Sequence, residues 1–394
     1  MRHNVVWTVF RKELTDLLRD RKTLIGTFVI PLVIIPFVFF LLSMSYTNVE
    51  KEARAYVPIA VNGQSILMDY LKKQTGVQLL SPAEPQTELE QGRLRAIISI
   101  PENFDQQVKA GKKVRVEVAY DSTNQKSMYA RTVIEEAVKS YSEDIVNQRL
   151  RQAGLSEQAI KPIETVYDNT ASKDRQAGGM LAGIVPLMLV LSLASGGIAA
   201  ATDLVVGERE RGTLEALLTA PIAANHLLTA KLLAVMVMSC MSAMASLLSL
   251  TFVFRMGPFN HTAESSFSLR FLEPGSLVVL GGTILLLAAM FAGLELTLST
   301  IAKSFKEGQT YMTGVIVLAM VPSYMMMPVN PVDIPQWAYY LPIFSGVALV
   351  KEVFYGAIQP WHIFVGMGTS LLYVAGIVAL SARLFRREGA VIKG

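Results

Sequence analysis

Cysteine, histidine and charge are all scarce in this sequence. The 394 residues include one cysteine, Cys240, so neither a disulfide framework nor a cysteine metal cluster is possible. The four histidines are scattered along the chain, which argues against a histidine metal site. Only 17% of the residues are charged, against about 25% in an ordinary soluble domain, so a typical soluble protein is excluded.

Sequence motifs of catalysis are absent as well. The chain contains no G-x-x-x-x-G-K-[ST] phosphate-binding loop, no H-E-x-x-H, no G-x-S-x-G and no kinase signature. We therefore expect no catalytic residue and no cofactor in this chain. The free energy for any work that it performs would come from a partner or from an ion gradient.

Apolar sequence is what the chain has in abundance, with 52% hydrophobic residues and a mean hydropathy of +0.39. A bilayer core needs about 20 apolar residues per helix, and six runs approach this length. The fold class predicted is an α-helical membrane protein with six transmembrane helices and one extracytoplasmic α/β domain. The run at 311–327 is the weakest of the six, because it is short and contains Pro322.

The order of segments follows from these runs and from the distribution of charge. Residues 49–176 carry 18 basic and 18 acidic side chains, so the net charge of +4 lies in the flanks of the spans. Basic flanks indicate cytoplasmic loops rather than nucleic-acid binding, and they place both termini in the cytoplasm. We predict an amphipathic elbow helix (1–23), spans (24–45, 177–202, 227–254, 275–301, 311–327 and 363–385), an extracytoplasmic domain (46–176), cytoplasmic loops (203–226 and 302–310), outer segments (255–274 and a re-entrant region at 328–362) and a cytoplasmic tail (386–394).

The extracytoplasmic segment has a mixed α/β pattern. Buried strands are predicted at 56–62 and 94–100, and alternating valines predict a half-exposed strand at 114–120. A long helix follows Asp121, with apolar side chains at helical spacing on one face: Ile134, Val138, Tyr141 and Ile145.

The first helix is predicted to be amphipathic. Its apolar stripe comprises Val5, Val6, Val9, Phe10, Leu14 and Leu17. Such a helix lies in the membrane interface or, alternatively, packs in the cytoplasm against a partner.

Several segments together resemble the ABC-2-type exporter permeases. They are GERERGTLEALLTAP at 207–221, VFRKELTDLLRDRKTLIGTFVIP at 9–31, AKSFKEGQTY at 302–311, RAIISIPENF at 95–104 and VAYDSTNQKS at 118–127. They occur in the family's order over essentially the whole chain. Within the family, the chain is most similar to the permeases of bacterial sodium-extruding transporters.

The resemblance implies a location in the bacterial cell membrane and a separate cytoplasmic ABC ATPase in two copies, which binds ATP and Mg²⁺. It also implies a second copy of the permease. The charged segment at 207–221 would be a coupling helix, and the loop at 302–310 a second ATPase contact. The alternative is an interfacial helix with a solvated charged face. The predicted contact residues are Glu208, Arg209, Glu210, Arg211, Leu214, Glu215, Leu218, Lys303, Phe305, Lys306 and Glu307.

Glu295 is the one acid deep within a predicted span. Such a residue is costly in a membrane unless it has a function, so Glu295 either binds Na⁺ or a proton, or faces the cytoplasmic interface near Lys303. Ser195, Ser242 and Ser246 are further candidates for the transport path, because hydroxyl oxygens suit a hard cation. Their alternative role is close helix packing.

The function that this combination favours is the permease of an ATP-driven exporter, with Na⁺ as the cargo. The first alternative keeps the exporter and changes the cargo to a peptide, a lipid or an antibiotic-like amphiphile. The second alternative is a membrane sensor whose outer domain binds a ligand. The charged segment argues against a sensor, because a sensor needs no mechanical contact with an ATPase.

Overall fold

The structure, a computed structural model, describes residues 2–155, 173–213, 222–256 and 273–393. These residues form two compact units, one of Met1–Phe40 with Asn169–Gly394 and the other of Leu41–Asp168. The first unit is helical and the second is α/β. Each unit has its own apolar core.

The N-terminal amphipathic sequence forms helix α1, Arg2–Arg19. Leu17 is buried in the core of the helical unit, and Val9 and Phe10 are half-buried against it. Asp20 ends this helix and starts the next, since its carboxylate accepts hydrogen bonds from the backbone N–H groups of Lys22 and Thr23. The stripe predicted from the sequence therefore packs on the helical unit.

Helix α2, Arg21–Leu24, continues through a π-helical turn, Ile25–Val29, into α3, Ile30–Ala55. The other helices of the helical unit are α8 (Lys173–Gly196), α9 (Ile198–Thr202), α10 (Glu208–Glu210), α11 (Ala224–Met256), α12 (Pro274–Ile301), α13 (Phe305–Met326), α14 (Phe344–Tyr355) and α15 (Pro360–Lys393). Helices α9 and α10 are joined by a second π-helical turn, Asp203–Gly207.

Five segments of the described residues are long and apolar enough to cross a membrane. They are Arg21–Val38, Leu181–Glu210, Ala224–Val253, Pro274–Ile301 and Pro360–Arg386. The sixth predicted run, 311–327, lies on α13 but is not among these five. Its helix opens with the polar sequence FKEGQTY and contains Pro322, and both features reduce its apolar content.

The helical unit carries its large apolar side chains outward and its small polar ones inward. Phe37, Phe252 and Phe364 are more than half exposed, whereas Ser239 and Ser249 are fully buried. Water would make such an outer surface unfavourable, but hydrocarbon does not. This distribution fits a surface that is surrounded by lipid.

The segment between α13 and α15 does not form a simple hairpin. Two 3₁₀ turns, Pro331–Asp333 and Gln336–Tyr340, lead into α14. This 12-residue helix is too short to cross a membrane, as the sequence indicated for this region. Its side chains are nearly all buried, and Gly356 ends it in a left-handed conformation.

The α/β unit contains a four-stranded sheet of order β2-β1-β3-β4. The strands are β1 (Val57–Asn62), β2 (Val77–Leu80), β3 (Ala96–Ser99) and β4 (Glu117–Tyr120). Strand β1 pairs in parallel with β2 and β3, and β4 is antiparallel to β3, with Ile97 opposite Ala119. The helices of the unit are α4 (Leu67–Lys72), α5 (Pro85–Glu90), α6 (Phe104–Lys109) and α7 (Gln125–Gln152).

The long helix α7 covers the sheet with the predicted face. Ile134 and Tyr141 are buried in the core, and Val138 and Ile145 pack against it. The prediction for the fourth strand was too long, because β4 begins at Glu117 and not at Val114. Strand β2 and helices α4 and α5 were not predicted, since each is only four to six residues long.

Candidate functional site

The charged segment after the second apolar helix begins with the short helix α10. The residues of the preceding π-helical turn are buried from Leu204 to Gly207, so the start of the charged segment is held against the helical unit. Three of the predicted coupling residues, Leu214, Glu215 and Leu218, lie outside the described residues.

A buried ion cluster anchors this segment. The fully buried Lys231 Nζ on α11 lies 2.7 Å from Glu208 Oε2 and 3.3 Å from Glu13 Oε1 of α1. It also donates to the carbonyl oxygen of Leu204 at 2.8 Å. At the exposed edge of the cluster, Lys12 Nζ lies 3.3 Å from Glu13, 3.4 Å from Asp16 and 3.8 Å from Glu208.

The charges of the cluster affect the pKa of Lys12, which lies at its exposed edge. Partial burial by itself would lower the pKa of Lys12, but the charges of Glu13 and Glu208, together with hydrogen bonds to Glu13 and Asp16, raise this pKa above its ordinary value. Inside the cluster, a carboxylate without a partner would cost several kcal/mol, and the contacts with Lys231 offset part of that cost. The cluster therefore ties together α1, α10 and α11.

The place of Glu208 corrects one expectation from the sequence. Glu208 was predicted to contact a soluble partner, yet it is only 5% exposed and is committed to Lys231. In this structure its carboxylate faces the helical unit. The contact that it makes fixes the position of the charged segment.

Arg209 and Glu210 connect the charged segment to the second predicted contact loop. The Arg209 guanidinium donates to the carbonyl oxygens of Thr300, at 2.9 Å, and Ala302, which are free at the C-terminal end of α12. Glu210 Oε1 accepts from the backbone N–H of Phe305 at 2.7 Å, at the N-terminus of α13. The two segments, separated by about 90 residues in the chain, thus form one structure.

The outer side of this structure is charged and accessible. Arg211 pairs with Asp203 at 3.0 Å and remains exposed, as do Lys303, Phe305 and Lys306. Glu307 accepts from the Tyr311 hydroxyl and from the backbone N–H of Lys303, and these hydrogen bonds lower the pKa of the Glu307 carboxyl. We refer to Glu210, Arg211, Lys303, Phe305 and Lys306 as the charged face.

The second candidate site lies inside the helical unit at Glu295 of α12. Its side chain is fully buried, and neither carboxylate oxygen has a hydrogen-bond partner among the described residues. Ser299 lies one turn further along α12 and donates to the carbonyl oxygen of Ala201 at 3.0 Å, so this side of α12 faces α9. The position of Glu295 is therefore in the interior of the helical unit.

Two glycines at the junction of α8 and α9 leave room for Glu295. A methyl group on Gly197 would lie 2.1 Å from Glu295 Oε2 and 2.7 Å from the hydroxyl oxygen of Ser239. A methyl group on Gly196 would lie 2.4 Å from Ser242 Cβ. Only glycine permits this approach between α8, α11 and α12.

The serines of the predicted transport path have different positions. Ser242 and Ser246 are buried, and the hydroxyls of Ser239, Ser242 and Ser249 have no hydrogen-bond partner among the described residues. Ser195 was predicted to belong to the path but is exposed. Neighbouring residues of a helix point about 100° apart, so Ser195 does not face the interior together with Gly196.

A third polar group lies between α14 and α15. Glu352 Oε1 accepts from the Tyr339 hydroxyl at 2.6 Å and contacts His362 Nδ1, and the rings of Tyr339 and His362 stack. Lys351 instead donates to the carbonyl oxygens of Ala182 and Met327, at 3.0 and 3.3 Å. These two neighbours in sequence therefore have different partners.

The sequence analysis identified neither Glu13 nor Lys231 as a residue of the site. Glu13 occupies the apolar face of α1, four residues from both Val9 and Leu17. Lys231 is the only charged residue in the run from 227 to 254. An acid on one apolar face and a base within another are complementary signals, and together they could have indicated the cluster.

Comparison with known protein families identifies the chain. The model of the ABC-2 family transporter proteins matches residues 21–383. The chain belongs to the ABC-2 transporter family. It is therefore a helical membrane protein with the general role of an ABC exporter permease, and such a permease implies an ATPase subunit as its partner.

A curated relative of this ABC-2 permease is similar over its full length. The chain is 27% identical to the ABC transporter permease protein NatB of Bacillus subtilis (strain 168) over 390 residues. This aligned region covers 98% of each of the two sequences. No solved structure matches the chain. Among the described residues, no three His, Cys, Asp or Glu side chains gather as a metal site.

Proposed function

We propose that this permease extrudes Na⁺ in an ATP-driven complex and that its charged face receives the ATPase subunit. The observation that carries the proposal is the continuity of the charged segment with the rest of the helical unit. Arg209 and Glu210 bind the second loop, while Glu208 binds Lys231 of α11. A force on the charged face would therefore reach α1, α11, α12 and α13 directly.

Exposed charges on a rigid base suit contact with a soluble subunit. Arg211, Lys303 and Lys306 can make charge-assisted hydrogen bonds, and the exposed ring of Phe305 can fill an apolar pocket. The coupling role extends to Leu214, Glu215 and Leu218 as the continuation of the segment. Glu208 and Arg209 act in this proposal as anchors, and Glu307 orients the second loop.

The family supports the proposed assembly, and the charge distribution supports the proposed topology. We propose two copies of a NatA-like ATPase, which bind ATP and Mg²⁺, together with two copies of this permease. Helix α13 serves as a sixth span, and an even number places both termini on the cytoplasmic side of a bacterial cell membrane. The charge-balanced α/β unit then lies outside the cell.

Sodium is proposed as the cargo from two considerations. The relative NatB is similar over 98% of the chain, and the interior of the helical unit contains a buried acid together with buried hydroxyl groups. Carboxylate and hydroxyl oxygens suit a hard cation.

The test is ATP-driven uptake of ²²Na⁺ into inside-out vesicles that contain the permease and its ATPase. We expect uptake with the native chain and loss of uptake with Arg209→Gln, which removes the link to Thr300 and Ala302. Lys109→Glu in the α/β unit is the control for a charge change away from the charged face. ATP hydrolysis and the amount of complex are measured in the same vesicles.

Two results would contradict the proposal. ATP hydrolysis without sodium uptake in the native complex would reject sodium, and peptides, lipids and antibiotic-like amphiphiles would be tested next. Absence of any stable ATPase complex would reject the exporter and favour a sensor. Normal uptake with Arg209→Gln would reject the coupling route through the second loop.

A further inference from the structure

The interior of the helical unit contains a cluster of polar atoms that the fold leaves without partners. Among the described residues, these atoms include both carboxylate oxygens of Glu295 and the hydroxyls of Ser239 and Ser242. Buried polar groups are normally hydrogen-bonded, because a group without a partner is destabilising, and a charged one more so. Three such side chains at one place therefore provide oxygen atoms that a bound ion could use.

These side chains converge on one point of the backbone. Glu295 Oε2 and Ser239 Oγ lie 2.1 and 2.7 Å from the position that a methyl group on Gly197 would take. Ser242 stands against the adjacent Gly196, with its hydroxyl oxygen 3.0 Å from the corresponding position there. The cluster thus joins α11 and α12 across the junction of α8 and α9.

The chemistry of the donors selects the ligand. All of them are oxygen atoms, which hard cations prefer over the nitrogen and sulfur ligands of transition metals. The cluster has one carboxylate, and no ion pair with a described residue neutralises it. A monovalent cation would make the buried site neutral, whereas a divalent cation would leave a net positive charge in a low-dielectric interior.

We propose that Glu295, Ser239 and Ser242 form a binding site for one Na⁺ ion beside Gly196 and Gly197. This inference rests on the proposed function, because it gives the exported ion a place in the helical unit. It also replaces the exposed Ser195 of the sequence prediction with the buried Ser239. The two glycines act by leaving space for the carboxylate and the hydroxyls.

The neighbouring contacts link this site to the parts that would move. Thr27, on the π-helical turn of the first apolar helix, donates to the Gly196 carbonyl oxygen at 3.3 Å. Ser299 binds Ala201 of α9, which leads through the second π-helical turn to Glu208. A displacement of the charged segment can therefore reach the site along α9. π-Helical turns occur often at functional sites in helices.

The site predicts opposite effects on stability and on binding. Ser239→Ala removes an unmet hydroxyl and Glu295→Gln removes the unpaired buried charge, so the fold should be as stable as the native one or more stable in sodium-free buffer. The same changes should weaken sodium binding. A residue with a purely structural role would not show this combination.

The experiment measures protection of Glu295 from a carbodiimide, which modifies a protonated buried carboxyl group. The full complex is labelled in NaCl, KCl or choline chloride at equal ionic strength, and the label is located by mass spectrometry. We expect Na⁺ to slow labelling of Glu295. In Ser239→Ala, the sodium concentration that gives half of the maximal protection should rise about tenfold, because the ion loses one contact about as strong as a hydrogen bond. Sodium binding should also raise the melting temperature of the native complex. Glu295→Gln removes the labelled carboxyl group and should abolish this rise.

Glu352 provides an internal reference, because it is buried but its Oε1 is hydrogen-bonded to Tyr339 and contacts His362, although its Oε2 has no partner among the described residues. Its labelling should not depend on sodium. Equal labelling of Glu295 in sodium and choline, or unchanged protection with Ser239→Ala, would overturn the site. Sodium uptake that survives Glu295→Gln would overturn it and leave the proposed export intact. Protection without ATP-driven uptake would overturn the export and leave the site.

Discussion

At the scale of the residue, the buried acids around Lys231 contrast with Glu295 in this ABC-2 permease. Glu13 and Glu208 are buried around Lys231, so their charges are compensated within the structure. Glu295 is equally buried and has no such compensation among the described residues. The first arrangement is that of an anchor, whereas the second leaves a charge for a ligand to neutralise.

Lys231 gives the first prediction. Lys231→Met keeps the length and the apolar stem of the side chain but leaves Glu13 and Glu208 without a fully buried partner. Because breaking one side of a buried ion pair typically costs about 3–5 kcal/mol, we expect a clearly lower melting temperature of the purified protein in detergent. Lys303→Met, at an exposed lysine, is the control and should leave the melting temperature unchanged. Equal stability of the two variants would mean that the cluster does not anchor the charged segment.

Lys351 gives a prediction for pH. Burial lowers the pKa of Lys351 to about 8 from its ordinary value of 10.5. Between these two values the unfolded chain binds more protons than the folded one, so stability should rise as the pH increases from about 8 to about 10.5. The measurement is the midpoint of chemical unfolding across this range, with Lys351→Met as the reference. The same pH slope in both proteins would assign the effect to other groups.

At the scale of the element, close approach between helices depends on single glycines. Ser242 Cβ of α11 lies 2.4 Å from the place of a methyl group on Gly196, and Ser239 Cα lies 3.2 Å from it. Backbone atoms of α11 therefore stand against α8 with no space for a side chain. By contrast, a methyl group on Gly281 of α12 would meet no atom within 4 Å.

These two glycines form a matched pair for experiment. We expect Gly196→Ala to destabilise the fold by about 1–3 kcal/mol, because the helices must separate or strain to accept the methyl group. Gly281→Ala should be neutral or stabilising by up to about 1 kcal/mol, since alanine favours the helix and the space is open. Thermal unfolding of both variants beside the native protein measures this difference. A Gly196→Ala protein as stable as Gly281→Ala would contradict the close packing of α8 on α11.

At the scale of the whole molecule, the charged face is the surface proposed for the ATPase. Lys303 and Lys306 are exposed and belong to the loop that Glu210 joins to the charged segment. Charges at the rim of an interface mainly control the association rate and its salt dependence. The face should therefore govern assembly without affecting the fold.

The corresponding prediction concerns assembly with the ATPase. We expect Lys303→Glu with Lys306→Glu to weaken binding of the ATPase at least about tenfold at low salt, and less at high salt where charges are screened. Lys72→Glu with Lys109→Glu makes the same change of charge in the α/β unit and serves as the control. Co-purification and titration of the ATPase against the detergent-solubilised permease measure the affinity. Unchanged affinity in the first variant would exclude the second loop from the contact.

Particular residues show how far the sequence could predict this structure. The run from 227 to 254 is continuous and apolar, and it gives helix α11 almost within its bounds. Helix α7 and its buried face followed from the spacing of Ile134 and Tyr141. Strand β2 did not, because its four residues have a weak pattern and form a strand only when β1 lies beside them.

The candidate sites also contain some residues that the sequence could predict and others that it could not. Glu295 stood out in the sequence because an acid in an apolar run is unusual. Its neighbours could not be identified, since Gly197 and Ser239 lie about 56 to 98 positions away and meet it only through the packing of three helices. Glu208 was assigned to the surface, because a run of charges does not reveal which of its members turns inward.

The sequence by itself determined that this chain is a helical ABC-2 permease with a separate α/β segment. Apolar length, charge balance and family motifs are local properties, and they survive in any arrangement of the helices. The tertiary structure decided which charged groups are anchors and which are accessible, and which polar atoms remain without partners. These properties depend on contacts between residues far apart in the chain, where a side chain's energy is set by its neighbours and by the loss of water.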